Sequence, residues 1–185
     1  MTVLRIYPED QPERWETLIE PSDIRRALEA VGVTYARWPC EVALAAHADP
    51  EDILNAYKEP VEALRRTHGF RSQDVIRMTP DHPQRQELRQ KFLDEHRHQE
   101  FEIRFFVAGR GLFFLHPGPK VLAVLCEAGD LLSVPDGMAH WFDMGDKPEF
   151  TCLRFFTRPE GWIAEYTGDA IARRFPDLSA FLESP

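Results

Sequence analysis

Asp94-Glu95-His96-Arg97-His98-Gln99-Glu100-Phe101-Glu102-Ile103-Arg104 runs directly into Phe105-Phe106-Val107-Ala108-Gly109, and the reading of this stretch organises the whole 185-residue chain. Side chains alternate between faces along a strand. An extended backbone here therefore puts His96, His98, Glu102 and Arg104 on one face and Phe101, Ile103 and Phe105 on the other. The first face offers imidazole and carboxylate to a borderline divalent metal such as Fe(II), Ni(II), Mn(II) or Zn(II); the second is core. On local composition alone, a solvated polar strand among Asp94, Glu95, Arg97 and Glu100 explains the two histidines equally well.

Downstream, short β-type runs at 102–108, 112–116, 121–126, 131–134, 140–143 and 150–156 alternate with turn signals at Gly109, Pro117-Gly118-Pro119, Gly129-Asp130, Pro135-Asp136-Gly137 and Gly145-Asp146. Regular short strands punctuated in this way predict a mainly β fold, an antiparallel barrel or jelly roll. Upstream the texture is mixed. A short edge strand ends at Pro8, and a polar linker follows with Asp10, Pro12 and Glu13. Helical patterns cover 21–31 before Gly32, the segment after Asp49-Pro50, Pro60 to Gly69, and 84–93, with strands at 33–38 and 74–78. A short helix in the tail is expected to pack outside the barrel. We expect a single domain over 1–185: a helical and strand front half (1–83) packing on the barrel, a metal-binding barrel core (84–158) and a C-terminal tail (159–185).

An apolar share of 43% is ordinary for a globular chain and sufficient for a sizeable core. The three cysteines, Cys40, Cys126 and Cys152, are odd in number and contain no CxxC pair, which disfavours a disulfide framework and a thiolate zinc site. A net charge of −9 repels a phosphate backbone, so nucleic acid is not an expected partner. There is no long apolar run and no signal-peptide pattern at Met1–Glu9, so a cytoplasmic protein without a membrane partner is expected. His47, His68, His82 and His116 stand in polar or turn contexts and receive no role.

A second element bears on the first. Gly129-Asp130-Leu131-Leu132-Ser133-Val134-Pro135-Asp136-Gly137-Met138-Ala139-His140 reads as strand, tight turn, strand, with a histidine just past the turn. A lone histidine beside Trp141 and Phe142 is more often a satisfied core residue. The joint pattern is much rarer than either part, and such a hairpin can deliver a third imidazole to a barrel mouth.

The two elements together resemble the two cupin motifs: His96-x-His98, Glu102 and Gly109, then Gly129, Pro135-x-Gly137 and His140, with 19 residues between them. Gln90 and Met144 depart from the usual opening Gly and closing Asn without removing a ligand. Within cupins the chain is similar to the acireductone dioxygenase family. The matching phrases are Lys91-Phe92-Leu93-x-Glu95-His96-x-His98, Ile103-Arg104-Phe105-Phe106-Val107, Gly109-x-Gly111-Leu112-Phe113, Ser133-Val134-Pro135 and His140-Trp141-Phe142-Asp143-Met144-Gly145, continued by Gly161-Trp162-Ile163-Ala164.

The resemblance implies a cupin barrel whose four metal ligands are His96, His98, Glu102 and His140. It implies one Fe(II) or Ni(II) per chain, and a monomer acting on acireductone and O2 in methionine salvage. The iron form yields formate and the 2-keto acid precursor of methionine; the nickel form yields formate, carbon monoxide and methylthiopropionate. Arg104 shares the parity of the ligands and Arg154 is a charge inside an apolar run. Both are candidates for holding negative charge on the substrate; the alternative is a surface arginine pairing with Glu102 or Glu100 for Arg104, and a structural buried ion pair for Arg154. Phe92, Phe142 and Trp162 are candidates for the wall facing the methylthioalkyl tail. Phe101 stands where relatives usually carry Asp, and Asp143 is read as capping a turn. Two other readings remain: a cupin isomerase using the metal as a Lewis acid, and a metal-bearing binding module without turnover.

Overall fold

The computed structural model describes residues 1–40, 48–158 and 163–184. In chain order the elements are β1 (Val3–Pro8), β2 (Glu16–Leu18), α1 (Pro21–Glu29), β3 (Thr34–Arg37), α2 (Pro50–Ala56), α3 (Lys58–His68), β4 (Ser72–Met78), α4 (Arg85–Leu93), β5 (His96–Arg97), β6 (Glu102–His116), β7 (Lys120–Glu127), β8 (Asp130–Val134), β9 (Ala139–Asp143), β10 (Phe150–Phe156), β11 (Glu165–Tyr166), a 3-10 turn (Ile171–Arg174) and α5 (Leu178–Glu183). One sheet runs β11-β5-β9-β6-β7-β1-β2, the other β4-β10-β6-β8-β3, with antiparallel pairing throughout.

The expected antiparallel barrel is present, and β6 is the strand that joins its two sheets. Residues 102–109 of β6 pair with β8 and β10, while 110–116 pair with β7 and β9. Separate strands at 102–108 and 112–116 were expected; the chain instead continues through Gly109 and Gly111. Gly109 has φ 72°, and a Cβ there would run into the carbonyl oxygen of Glu149. Glycine at this point lets the strand bend between sheets rather than turn back.

Alternation along β6 sorts the core. Phe106, Phe113 and Leu115 face the interior with Leu122, Val124, Leu132, Phe142 and Phe150. Ile103, Phe105 and Val107 face outward, where Ile53 of α2 and Tyr57, Val61 and Phe70 in and around α3 cover them. Leu112 and Phe114 also face outward, under Ile171, Phe175, Leu178 and Phe181 of the tail. The central strands are therefore covered on both faces, at about 1.5–3 kcal/mol for each large side chain fully buried.

Local signals account for the helices. Asp49 caps α2 through Asp52 N, with Pro50 in the first turn, and Gly69 ends α3 in the left-handed region at φ 70°. Asp143 does cap the turn after β9, accepting from Gly145 N at 2.9 Å. It also accepts from Leu178 N at 2.8 Å and from Arg89 Nε at 2.7 Å, so it ties α4 and α5 to the barrel.

Two details differ from expectation. The supposed polar linker contains β2, which pairs with β1 through Leu4–Leu18. The opening stretch is not one strand: β5 stops at Arg97, the chain bends at 99–100, and β6 starts at Glu102. Glu100 is buried and accepts from Thr157 N at 3.0 Å, which pins the bend. The alternation is broken there, and Phe101 is 44% exposed instead of core.

Candidate metal centre

Three short elements bring the histidines together. His96 on β5 sits directly opposite His140 on β9, and His140 is opposite Leu115 on β6. His98 lies just beyond β5, where Gly137 N donates to its carbonyl at 2.9 Å. The Pro135-Asp136-Gly137 turn of the second motif thus holds the loop of the first. One ring nitrogen from each of the three buried histidines lies within 4.8 Å of the others.

The other ring nitrogens explain which atoms converge. His96 Nδ1 is 2.8 Å from Asp94 O, His98 Nδ1 3.0 Å from Ile163 O, and His140 Nδ1 2.8 Å from Met138 O. A carbonyl only accepts, so each Nδ1 carries a proton and Nε2 is the ring atom left to point inward. Burial and the neighbouring His140 pull His96 down to about 4, which keeps it neutral.

Glu102 completes the donor set. It is 1% exposed, and its Oε2 lies 3.0 Å from both His98 Nε2 and His140 Nε2. Two imidazole lone pairs facing one carboxylate oxygen repel unless a positive charge stands among them. A proton meets the need at His98, where burial disfavours the cation but the Glu102 carboxylate outweighs it and raises the pKa. A divalent cation meets it for the whole set, and three imidazoles with one carboxylate are the mix that borderline metals favour. Glu102 itself is held well below the usual carboxylate range: burial opposes this, and the guanidinium of Arg104 with the His140 ring overcomes it.

Arg104 Nε donates to Glu102 Oε1 at 2.6 Å; the pairing with Glu102 is present, but Arg104 is buried and not the surface arginine of the alternative reading. Its guanidinium carbon lies 5.7, 5.3 and 5.1 Å from the ring centres of Phe92, Phe113 and Phe142. These rings favour the cation and fix its plane. Arg154 is on the same cavity wall and forms a fork with Asp74, Nε to Oδ1 at 2.9 Å and Nη2 to Oδ2 at 2.6 Å.

His96, His98, Arg104 and Arg154 line a cavity of about 760 Å³, with Phe92, Leu88, Ile76 and Ile163 as apolar wall. A larger cleft of about 840 Å³ between β4, β10 and α5 contains none of these groups, so size does not mark the site; the convergent donors do. Phe92 faces the cavity and Phe142 stands behind it, buried, with ring centres 6.4 Å apart. Trp162 and the Gly161-Trp162 phrase, like His47, lie outside the described residues.

Sequence reasoning missed the supports. Glu95 is buried, with Oε1 2.6 Å from His116 Nδ1 and Oε2 accepting from Thr167 Oγ1 at 2.7 Å, so it fastens β5 to β6 and to the segment after β11. His116, assigned no role, belongs to this brace. A carbonyl such as that of Ile163 has no residue-type signature and is visible only once the chain is folded.

The description ARD/ARD′ family belongs to the family model that matches residues 3–164. The chain belongs to this family. Membership of the ARD/ARD′ family agrees with curated relatives called acireductone dioxygenase. That of Marinobacter nauticus is 53% identical over 177 residues, 95% of each chain, and that of Aquifex aeolicus is 51% identical over 176 residues, 95% of this chain and 96% of the relative. A solved structure described as acireductone dioxygenase from Bacillus anthracis with a cadmium ion in its active centre superposes with a TM-score of 0.79 at 27% identity, covering 90% of this chain and 98% of that one. The barrel described above is thus the cupin-type barrel of the ARD/ARD′ family.

Proposed function

We propose that this chain is an acireductone dioxygenase of methionine salvage, a cytoplasmic monomer that uses O2 to cleave its substrate. The observation that carries the reading is the inward set of three Nε2 lone pairs and Glu102 Oε2, each ring locked in one tautomer. His96, His98, Glu102 and His140 are the residues that would hold Fe(II) or Ni(II). Such an ion would supply Lewis acidity that favours the anionic form of an enediol.

The rest is done by the chain. Glu102, kept anionic by Arg104, lowers the charge at the site, and the three neutral rings leave it basic enough to retain a divalent ion. The Arg104 guanidinium is fixed by Glu102 and three aromatic rings, so its donors are pre-arranged toward negative charge developing on the substrate. Arg154 is a second such group on the wall. Phe92, backed by Phe142 and joined by Leu88, Ile76 and Ile163, suits a methylthioalkyl tail and keeps water from it. Phe101, exposed and apolar, offers no proton acceptor beside the site.

The test is an oxygen-electrode trace with acireductone on iron-loaded and then nickel-loaded protein, with product analysis. Oxygen uptake with formate in both, and carbon monoxide with nickel alone, is the expected result. Isomerised substrate without oxygen uptake would point instead to Lewis-acid chemistry, and unchanged ligand to a binding module.

A further inference from the structure

Across the second sheet, neighbouring strands set Asp74 of β4 opposite Arg154 of β10, and Arg154 opposite Arg104 of β6. Directly opposed residues share a face, and all three line the cavity onto which His96 and His98 open. Two guanidiniums opposed across adjacent strands repel each other, and each is met by a carboxylate: Arg104 by Glu102, Arg154 by Asp74. The two pairs differ in setting. Glu102 and Arg104 are buried, whereas the Asp74 side chain is 45% exposed and that of Arg154 24%. An exposed pair typically contributes about 0.2–1 kcal/mol to stability, with a bidentate fork at the upper end, so the fork does more to orient the guanidinium than to hold the fold.

Two parallel hydrogen bonds on one edge of a guanidinium fix its plane and its last torsions, which a single contact leaves loose. The Phe156 ring, 5.4 Å from the Arg154 guanidinium carbon, supports the group further. The other N–H donors of the group, two on Nη1 and one on Nη2, lie in the same plane, and that plane is set by Asp74.

We propose that Asp74 is a positioning residue: it holds Arg154 in the orientation in which that guanidinium meets an anionic oxygen ligand on the metal. This rests on the proposed function only in taking the cavity as the ligand site. The proposal makes a prediction of sign. If Asp74 served only as a negative charge near the site, its removal would tighten binding of an anion; if it positions Arg154, its removal weakens binding.

Oxalate, a dianion that chelates divalent metals, is the probe, titrated by calorimetry into nickel-loaded protein. Asp74→Asn is expected to weaken oxalate by about 5- to 20-fold, with metal content and thermal midpoint unchanged, and Asp74→Ser to do the same. Asp74→Glu, which keeps a fork-forming carboxylate, should stay within about threefold of the parent. In an Arg154→Ala background Asp74→Asn should weaken nothing further. Unchanged or tighter oxalate binding in Asp74→Asn overturns the proposal, and so does an equal weakening in the Arg154→Ala background. With acireductone, Asp74→Asn should lower kcat/KM by a similar factor. A parent that consumes no oxygen would refute the functional reading, and the oxalate comparison would still decide the role of Asp74.

Discussion

Glu102→Gln isolates the charge at the centre of the site while leaving its shape nearly intact. Glu102 and Arg104 are 1% and 4% exposed and meet at 2.6 Å, and the guanidinium is enclosed by Phe92, Phe113 and Phe142. Removing one member of such a buried pair leaves the other charge uncompensated, at about 3–5 kcal/mol. For a chain of this size, with a urea dependence of about 2.5 kcal/mol per molar, the unfolding midpoint should fall by about 1.5 M. The assay is urea unfolding of protein stripped of metal with a chelator, so that lost metal binding does not enter the difference. Adding Arg104→Met to Glu102→Gln removes the orphaned cation and places a flexible apolar chain among the three rings. That double variant should recover at least about half of the loss. A midpoint shift below about 0.4 M in the single variant would refute the view that Glu102 and Arg104 are a buried pair whose charges depend on each other.

His98→Ala should lose metal and oxygen uptake together; full metal content by elemental analysis with normal turnover would remove His98 from the ligand set. In metal-free protein, stability should fall as pH drops from about 6.5 to about 4, because the unfolded chain takes up a proton on His96 across that window and the folded chain does not. The difference amounts to about 3 kcal/mol; the raised pKa of His98 acts in the opposite sense, but only above about 6.5, outside this window. His96→Gln should show a shallower fall in urea midpoint between about pH 7 and pH 4.5, and an equal fall would exclude His96 as the source. A Cβ at Gly111 would collide with the Phe142 ring, so Gly111→Ala should cost about 1–3 kcal/mol and depress turnover by shifting a ring that packs on Arg104. A thermal midpoint and a rate equal to the parent's would show that Phe142 has room to move.

The site was legible where side-chain chemistry carried the signal. His96, His98, Glu102 and His140 are the rare types on the interior of an apolar barrel, and the turns that aim them are marked by Gly129, Pro135 and Gly137. The barrel followed from turn spacing, because strands this short must close to bury both faces. What stayed hidden depended on long-range pairing. Asp74 is unremarkable until β4 aligns with β10, and β2 lies in a polar segment that local propensity reads as linker. The break at 99–100 was missed because alternation assumes a continuous strand, and only the buried Glu100, tied to Thr157, reveals the bend. Parity consequently held for Ile103 and Phe105 and failed for Phe101.

All three acceptors that lock the histidine tautomers are main-chain carbonyls, of Asp94, Met138 and Ile163. No substitution deletes a carbonyl. The pre-arrangement of the imidazoles is therefore protected against drift in side-chain identity and vulnerable to changes in chain length. For His96 and His140 the acceptor lies two residues upstream, so a one-residue insertion or deletion within 94–96 or 138–140 would turn the ring away from the converging donors even with every histidine retained. With this spacing kept, neighbouring side chains such as Phe101 can change without disturbing the orientation of the rings.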